Sequence, residues 1–136
     1  MKYLLDTNIC IALIRQRSAG LLQRLTALEP GEVGLSSITL AELFYGAAKS
    51  SQTEQNLAAL EQFLLPLELV NFDESAATAC GQIRAGLERD GKVIGSMDML
   101  IAAHALSLNA ILVTNNTKEF GRVSDLLLED WISETR

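Results

Sequence analysis

The chain alternates short apolar runs with longer segments whose apolar residues recur at helical spacing, and this alternation restricts its fold more than any other feature. Runs of strand length cover residues 2–5, 33–35, 67–72 and 111–113, and a possible fifth covers residues 126–128. Parallel neighbouring strands need a crossover connection, which is usually helical, so the alternation predicts a mainly parallel sheet. The expected architecture is an α/β sandwich in which helices flank four or five short strands.

Polar residues at the expected helix starts support this alternation. A buried helix over residues 8–16 follows the first strand, with Thr7 as its predicted N-cap. The other predicted N-caps are Ser36 with Ser37, Asp73 or Ser75, and Ser96. Further helical segments begin near Leu21 and Thr53. Helices therefore start where the predicted strands end.

The length and composition are those of one folded domain, expected to span residues 1–136. Apolar residues make up 49% of the chain, which is too many for a disordered protein. The longest apolar runs, residues 9–14 and 99–103, are far shorter than the roughly 20 residues of a membrane span, and no secretory signal opens the sequence. Cys10 and Cys80 lie in helix-like apolar patterns, which favours buried thiols. A soluble cytoplasmic protein is expected.

The net charge of −6 disfavours a protein that binds nucleic acid through a basic stripe. Nucleic acid remains a possible substrate if the acidic residues are concentrated around a divalent cation, because the metal then supplies the positive charge.

Three acidic residues are predicted to lie near one another. Asp6 follows the first strand, and Thr114-Asn115-Asn116 follows the fourth, so both lie at the edge where parallel sheets bind ligands. Asp98 falls in the first turn of a helix, where the helix dipole favours a carboxylate. Glu42 lies within an apolar helical run, which indicates either a narrow solvent-facing stripe or a compensating partner.

Three neighbouring carboxylates repel one another and raise each other's pKa unless a cation compensates them. Oxygen ligands suit Mg²⁺ or Mn²⁺, and the absence of a His/Cys set argues against zinc. From the residues alone the alternative stays open that Asp6 is a helix cap, Asp98 a first-turn dipole partner and Glu42 a surface residue.

Four segments carry a family resemblance. They are Leu-Asp-Thr-Asn at residues 5–8, Ser-Ile-Thr-Leu-Ala-Glu-Leu-Phe-Tyr-Gly at 37–46, the run around Asp98 at 94–106, and Leu-Val-Thr-Asn-Asn-Thr-Lys-Glu-Phe at 112–120. In order and spacing they resemble the successive motifs of PIN-domain ribonucleases. With the closing Glu-Asp-Trp at 129–131, the whole chain more closely resembles the VapC toxins of bacterial toxin–antitoxin pairs.

The resemblance implies a PIN-like three-layer sandwich and a Mg²⁺-dependent endoribonuclease, with Mn²⁺ as a possible substitute. Asp6, Glu42 and Asp98 match the family's metal-holding acids, and Thr7, Asn8, Thr114 and Asn115 match polar residues that line the site. Implied substrates are structured RNAs such as tRNA, cut in a single-stranded loop. Implied partners are a VapB antitoxin, through which alone DNA would be contacted, and a second copy of the chain. No membrane partner is expected.

One position departs from the family pattern. Asn116 stands where many PIN domains carry a fourth acid, and Glu119 is the nearest carboxylate, similar to the acid found there in close VapC relatives. The sequence therefore leaves open whether one metal ion or two would be held.

Two other functions compete with the nuclease. Asp6 at a strand end would suit an aspartyl-phosphate phosphotransferase or phosphatase, although Asn8 replaces the second Asp expected there. A non-catalytic PIN-fold binding module is the other alternative, and the presence of all three acids argues against it.

The remaining predictions concern packing and partners. His104, Phe120 and Trp131 are expected to be packing residues. Solvated faces are favoured over RNA contacts for the arginines: Arg15, Arg17, Arg24, Arg84 and Arg89. An apolar groove around Ile9, Leu13 and Leu43 or their neighbours is expected to receive the antitoxin, and Ile83, Leu87 and the 100–108 helix are expected at a dimer contact.

Overall fold

The computed structural model describes the backbone of residues 1–134 and the side chains of residues 1–132. In this part of the chain a five-stranded sheet, parallel throughout, has the strand order β3-β2-β1-β4-β5. The elements are β1 (Tyr3–Leu5), α1 (Thr7–Ile14), α2 (Ala19–Thr26), β2 (Val33–Ser36), α3 (Ser37–Lys49), α4 (Thr53–Leu64), β3 (Glu68–Val70), α5 (Glu74–Arg89), α6 (Ser96–Ser107), β4 (Ile111–Val113), α7 (Thr117–Phe120), β5 (Leu128–Glu129) and α8 (Trp131–Glu134). The predicted α/β class is confirmed, and the third strand is shorter than the 67–72 run suggested.

Helices cover both faces of the sheet and so form three layers. Along β1, Tyr3 and Leu5 point into a core shared with α1 to α4 and Trp131, whereas Leu4 points into a second core shared with α5, α6 and α7. Successive side chains of a strand point to opposite faces, so a strand buried on both sides must be apolar at every position. All three residues of β1 are accordingly buried. The three-layer sandwich that the resemblance implied is confirmed.

Close strand spacing explains the glycine within β2. Gly34 pairs with Leu4 on one side and Glu68 on the other. A Cβ at position 34 would lie 2.6 Å from the Glu68 carbonyl oxygen and 2.6 Å from the Met1 sulfur. Only a residue without a side chain fits between these neighbours.

Two predicted helix starts are correct and two are wrong. The Ser36 hydroxyl caps α3 by accepting from the Ile38 amide at 3.0 Å, and Asp73 caps α5 in the same way. Asp6, not Thr7, caps α1, because Thr7 already has helical backbone geometry. Ser96 is likewise the first residue of α6 instead of its N-cap, and Gly95 occupies the cap position without a side-chain bond.

The surface predicted for a dimer contact lies in the second core. Leu87 is 4% exposed and Ile101 is 1% exposed, and Ile83 packs against the same cluster. Helices α5 and α6 pack against each other, so Leu87 and Ile101 are core residues, whereas Ile83, Leu100 and Leu108 are only half-buried. The contact with a second copy stays a prediction. Within the described part of the chain, no helix is both long and apolar enough to cross a membrane.

Candidate active site

Asp6 lies at the centre of the candidate site, where β1 ends and α1 begins. Its Oδ1 accepts a hydrogen bond from the Ile9 amide at 2.8 Å, and the hydroxyl of Thr114 also bonds to the carboxylate. Thr114 reaches it because β4 runs parallel to β1 in register, with Leu5 opposite Val113, so the two strands end at the same edge. The Thr114 hydroxyl oxygen in turn accepts from the Asn116 amide at 3.0 Å.

The environment of Asp6 opposes its ionisation. The pKa of this carboxyl is raised from 3.8 to about 6 in total. Burial is the largest cause, the hydrogen bonds from Thr114 and Ile9 oppose it, and the charges of Asp98 and Glu42 add to it. Asp6 is only 4% exposed, so water screens these charges poorly. The fold therefore holds a carboxylate whose negative charge its own residues compensate only in part.

Glu42 approaches this edge from α3 and is oriented by a hydroxyl pair. Thr7 donates to Glu42 Oε1 at 2.6 Å, and the Thr7 oxygen lies 3.3 Å from the Thr39 hydroxyl, which is fully buried. Thr7 has a single hydroxyl proton, which Glu42 accepts, so Thr39 is the donor in the second contact. Sequence reasoning missed Thr39. The sequence feature that could have identified Thr39 is a polar residue one helical turn before Glu42 within an apolar run.

Asp98 and Glu119 form the other side of the site. Burial, followed by the charges of Glu119 and Glu42, raises the pKa of Asp98. Glu119 Oε1 accepts from the Gly95 amide at 2.8 Å and its Oε2 accepts from the Asn116 amide group at 3.0 Å; these two bonds are the main causes of its lowered pKa. Asn116 stands where the family pattern has a fourth acid, and its side chain orients the carboxylate of Glu119. Gly95 thus supplies a main-chain donor to this side of the site.

The two remaining predicted polar residues lie at the same edge and are more exposed. Asn8 is exposed in the first turn of α1 and lines a groove together with Thr7 and Glu42. Asn115 is exposed directly after β4.

These acids have the ligand chemistry that a hard divalent cation requires, but they do not form a complete coordination site by themselves. Among the described residues no group of three His, Cys, Asp or Glu side chains lies close enough to hold an ion unaided. The negative charges of neighbouring acids nevertheless raise the pKa of Asp6 and of Asp98, and the atoms available as metal ligands are oxygens. Oxygen donors with a partly compensated buried carboxylate suit Mg²⁺ or Mn²⁺ with bound water, and not zinc.

An apolar groove of about 670 Å³ adjoins the acids between α1, α3 and α4. Ile11, Ile14 and Leu43 line it, together with Leu60. Two of the residues predicted for this groove, Ile9 and Leu13, are instead core residues, 0% and 6% exposed. The prediction was right for Leu43 and for the neighbours of the other two, because the outward face of α1 is offset from the face that packs on the sheet.

The residues predicted to be packing residues are in the core. His104 is fully buried, its Nδ1 lies 2.7 Å from the Ser36 hydroxyl, and its ring meets Phe72 edge-on at 5.4 Å. Phe120 and Trp131 are 1% and 0% exposed. His104 thus links α6 to Ser36, the N-cap of α3.

Known proteins match the chain over nearly all of its length. The sequence profile of the PIN domain matches residues 3–126. The tRNA(fMet)-specific endonuclease VapC of Shigella flexneri is 48% identical over 131 residues, which are 96% of this chain and 98% of that protein. The toxin fold of DNA-bound VapBC from Salmonella typhimurium matches with a TM-score of 0.92 at 44% identity, covering 96% of this chain and 98% of that one.

A second solved structure agrees. VapBC2 from Rickettsia felis, bound to a DNA fragment from its promoter, matches with a TM-score of 0.91 at 44% identity and covers 96% of this chain and 99% of the other. Fold, motif order and coverage all agree. The chain belongs to the PIN-domain family and, within it, to the VapC group.

Proposed function

We propose that this chain is the toxin of a toxin–antitoxin pair and acts as a divalent-metal-dependent endoribonuclease. One observation carries the proposal: a buried carboxylate, Asp6, lies at the carboxyl edge of the sheet within reach of the charges of Glu42 and Asp98. An uncharged Asn or Ser would cap α1 as well as Asp6 does, so the cap does not require a buried negative charge, and its placement there indicates use by a ligand.

Asp6, Glu42 and Asp98 would hold Mg²⁺, or Mn²⁺ in its place. Such an ion would supply an activated water for hydrolysis and would offset the negative charge of the phosphodiester. The chain's own contribution is orientation: the Ile9 amide and Thr114 fix Asp6, and Thr7 fixes Glu42. Glu119, held by Gly95 and Asn116, is available for a second ion next to Asp98.

The substrate we propose is a structured RNA, most simply a tRNA, cut in a single-stranded loop. The relative from Shigella flexneri is named for cleavage of tRNA(fMet). Loops expose their bases and backbone to a protein groove, whereas an A-form duplex hides its base edges.

The partner we propose is a VapB antitoxin, because the matching structures are VapBC complexes. Its C-terminal segment would lay an apolar helix into the groove between α1, α3 and α4 and point an Arg at the acids, since Arg pairs bidentately with carboxylates. DNA would be contacted through the antitoxin. A homodimer within that hetero-oligomer stays part of the proposal, with the half-buried apolar residues of α5 and α6 as its contact. A cytoplasmic location is part of the same proposal.

Asp98→Asn tests the activity because it keeps the size of the side chain and removes one charge. We expect Mg²⁺-dependent cleavage of RNA to fall by more than about 100-fold, since even residues that merely support metal ligands contribute 10- to 100-fold. The metal-free variant should melt at a higher temperature than the wild type, because one of several repelling charges is gone. Wild-type turnover in this variant would refute the assignment.

The same assay separates the alternatives. An aspartyl-phosphate enzyme would become labelled at Asp6 by a phosphoryl donor and would not cut RNA. A binding module would show neither activity and would be unaffected by chelation of metal.

A further inference from the structure

The outward face of α3 continues from the acids along the groove. Glu42, Tyr45 and Lys49 succeed one another at helical spacing, with Gly46 between the last two, and all four line the groove. At a rise of 1.5 Å per residue, Lys49 lies about 10 Å along the helix axis from Glu42. That length matches one to two nucleotides of extended backbone leading away from the acids.

Tyr45 is an exposed aromatic residue on this face. It is 65% exposed, whereas the aromatic residues Tyr3, Phe120 and Trp131 are buried in the two cores. The Lys49 ammonium lies 4.9 Å from the centroid of the Tyr45 ring, so a cation and a flat apolar surface are presented together. Single-stranded nucleic acids are bound by this combination: a base stacks on the ring and a phosphate pairs with the cation.

Gly46 leaves space beside Tyr45. Glycine inside a helix is about 0.5–1 kcal/mol less favourable than alanine. A Cβ at position 46 would meet no atom within 4 Å, so packing within the chain does not require glycine there. The opening lies where a ligand would approach the helix backbone between Glu42 and Lys49.

The rim of the groove carries positive charge, whereas the protein as a whole carries a net negative charge. Arg15, at the end of α1, lines the groove together with Lys49, and both side chains are exposed. In the part of the chain whose side chains are described, the salt bridges belong to other residues. Two uncompensated cations beside a cluster of acids, in a chain of net charge −6, favour a polyanionic ligand that also brings metal ions.

We propose that Tyr45, Lys49 and Arg15 form a nucleotide subsite for single-stranded RNA, adjoining the acids. A base next to the cleaved bond stacks on Tyr45, and backbone phosphates pair with Lys49 and Arg15. The subsite rests on the proposed nuclease function and adds a reason for loop specificity, because bases paired and stacked in a duplex cannot lie on Tyr45. These three are binding residues, and the reacting groups stay at Asp6, Glu42 and Asp98.

Binding is measured with the full chain carrying Asp98→Asn, in Mg²⁺, on a short labelled single-stranded RNA and on the same sequence as a blunt duplex. Adding Tyr45→Ala should weaken single-strand binding by about 5- to 150-fold, since stacking on one aromatic side chain contributes 1–3 kcal/mol per base. Tyr45→Phe should restore it, and duplex binding should change little. Leu65→Ala, which truncates another exposed apolar residue, is the control.

Lys49→Gln should reduce the slope of log affinity against log salt by about 0.7, the value for one phosphate contact with a single strand. Lys2→Gln removes the same charge at the opposite end of β1, from a lysine that also lies over a tyrosine ring, and should leave the slope unchanged. In cleavage assays in the otherwise wild-type chain, Tyr45→Ala should raise KM far more than it lowers kcat.

The outcomes separate the subsite from the nuclease proposal. If the wild type cleaves RNA while Tyr45→Ala and Lys49→Gln keep its affinity, salt slope and KM, the subsite is wrong and the nuclease stands. If the chain cleaves no RNA but Tyr45→Ala still weakens single-strand binding, the nuclease is wrong and the subsite stands. Loss of antitoxin binding alone in these variants would assign the face to the protein partner and overturn the subsite.

Discussion

At the scale of single residues, the site consists of carboxylates held by short, local contacts. Asp6 caps a helix and at the same time presents its charge to Glu42 and Asp98. Thr7 lies in α1, the helix that Asp6 caps, and its hydroxyl donates a hydrogen bond to Glu42 in α3. Neighbouring residues of one tetrapeptide therefore connect β1, α1 and α3, which explains why a motif this short carries so much of the chemistry.

Asp6→Asn should stabilise the metal-free protein at pH 7. The pKa of Asp6 is raised from 3.8 to about 6, so the folded state binds protons more tightly than the unfolded state, and stability decreases as pH rises through this range. Complete ionisation costs about 3 kcal/mol at roughly 1.36 kcal/mol per pKa unit. Asn is as good an N-cap as Asp, so the helix start should survive.

The check is chemical unfolding in the presence of a chelator. The variant should be more stable than the wild type at pH 7, and the advantage should shrink as the pH falls below about 6 and disappear near pH 3, where Asp6 is largely protonated in both states. An equal difference at both pH values would show that burial of the charge is not the cause.

Thr39 should act on catalysis through Thr7. Thr39→Val removes the hydroxyl that donates to Thr7 and leaves the shape of the side chain, so kcat should fall because Glu42 loses its fixed orientation. The bond between Thr39 and Thr7 joins two neutral hydroxyls and contributes about 0.5–1.5 kcal/mol, so the expected loss is roughly 2- to 13-fold. Thr39→Ser keeps the hydroxyl and should recover most of the rate; equal losses in Val and Ser variants would indicate a packing effect.

At the scale of elements, the alternation of strands and helices could be predicted because burial on both sheet faces demands wholly apolar strands. The strand ends could also be predicted, since Asp6 and Thr114 follow apolar runs directly. The offset between the groove face and the core face of α1 could not be predicted from the sequence. An eight-residue helix that is apolar nearly all round has no clear polar side. The burial of Leu87 and Ile101 could not be predicted either, because the apolar residues on α5 and α6 gave no sign of which of them pack against each other.

Gly34→Ala tests the close spacing of β2 with its neighbours. The new Cβ would approach the Glu68 carbonyl oxygen to 2.6 Å, so the strands must move apart, at a cost of about 1–3 kcal/mol for overpacking. Gly46→Ala is the matched control, since its Cβ meets nothing and its helix should gain about 0.5–1 kcal/mol. Urea unfolding of both variants should give changes of opposite sign, and a stable Gly34→Ala protein would contradict the spacing argument.

At the scale of the whole molecule, function and stability oppose each other in the absence of metal. The parallel sheet brings the ends of β1 and β4 and the starts of α1 and α6 to one edge, and the acids follow from that topology. Their mutual repulsion weakens the fold, and the proposed cation would reverse this effect. The proposed metal site therefore predicts that metal binding and folding are linked, and the link should be visible without any measurement of RNA cleavage.

Mg²⁺ should raise the melting temperature of the wild type and leave that of Asp6→Asn nearly unchanged. A ligand that binds only the folded state adds about 2.7 kcal/mol at a concentration 100 times its Kd. The gain should shrink between pH 7.5 and pH 5, because a proton on Asp6, whose pKa is about 6, competes with the metal. Glu29→Gln removes an acid at the opposite edge of the sheet, before β2, and should respond to Mg²⁺ as the wild type does. A Mg²⁺ response that is equal in all three proteins would come from general screening of charge, and the acids at the sheet edge would then not be a metal site.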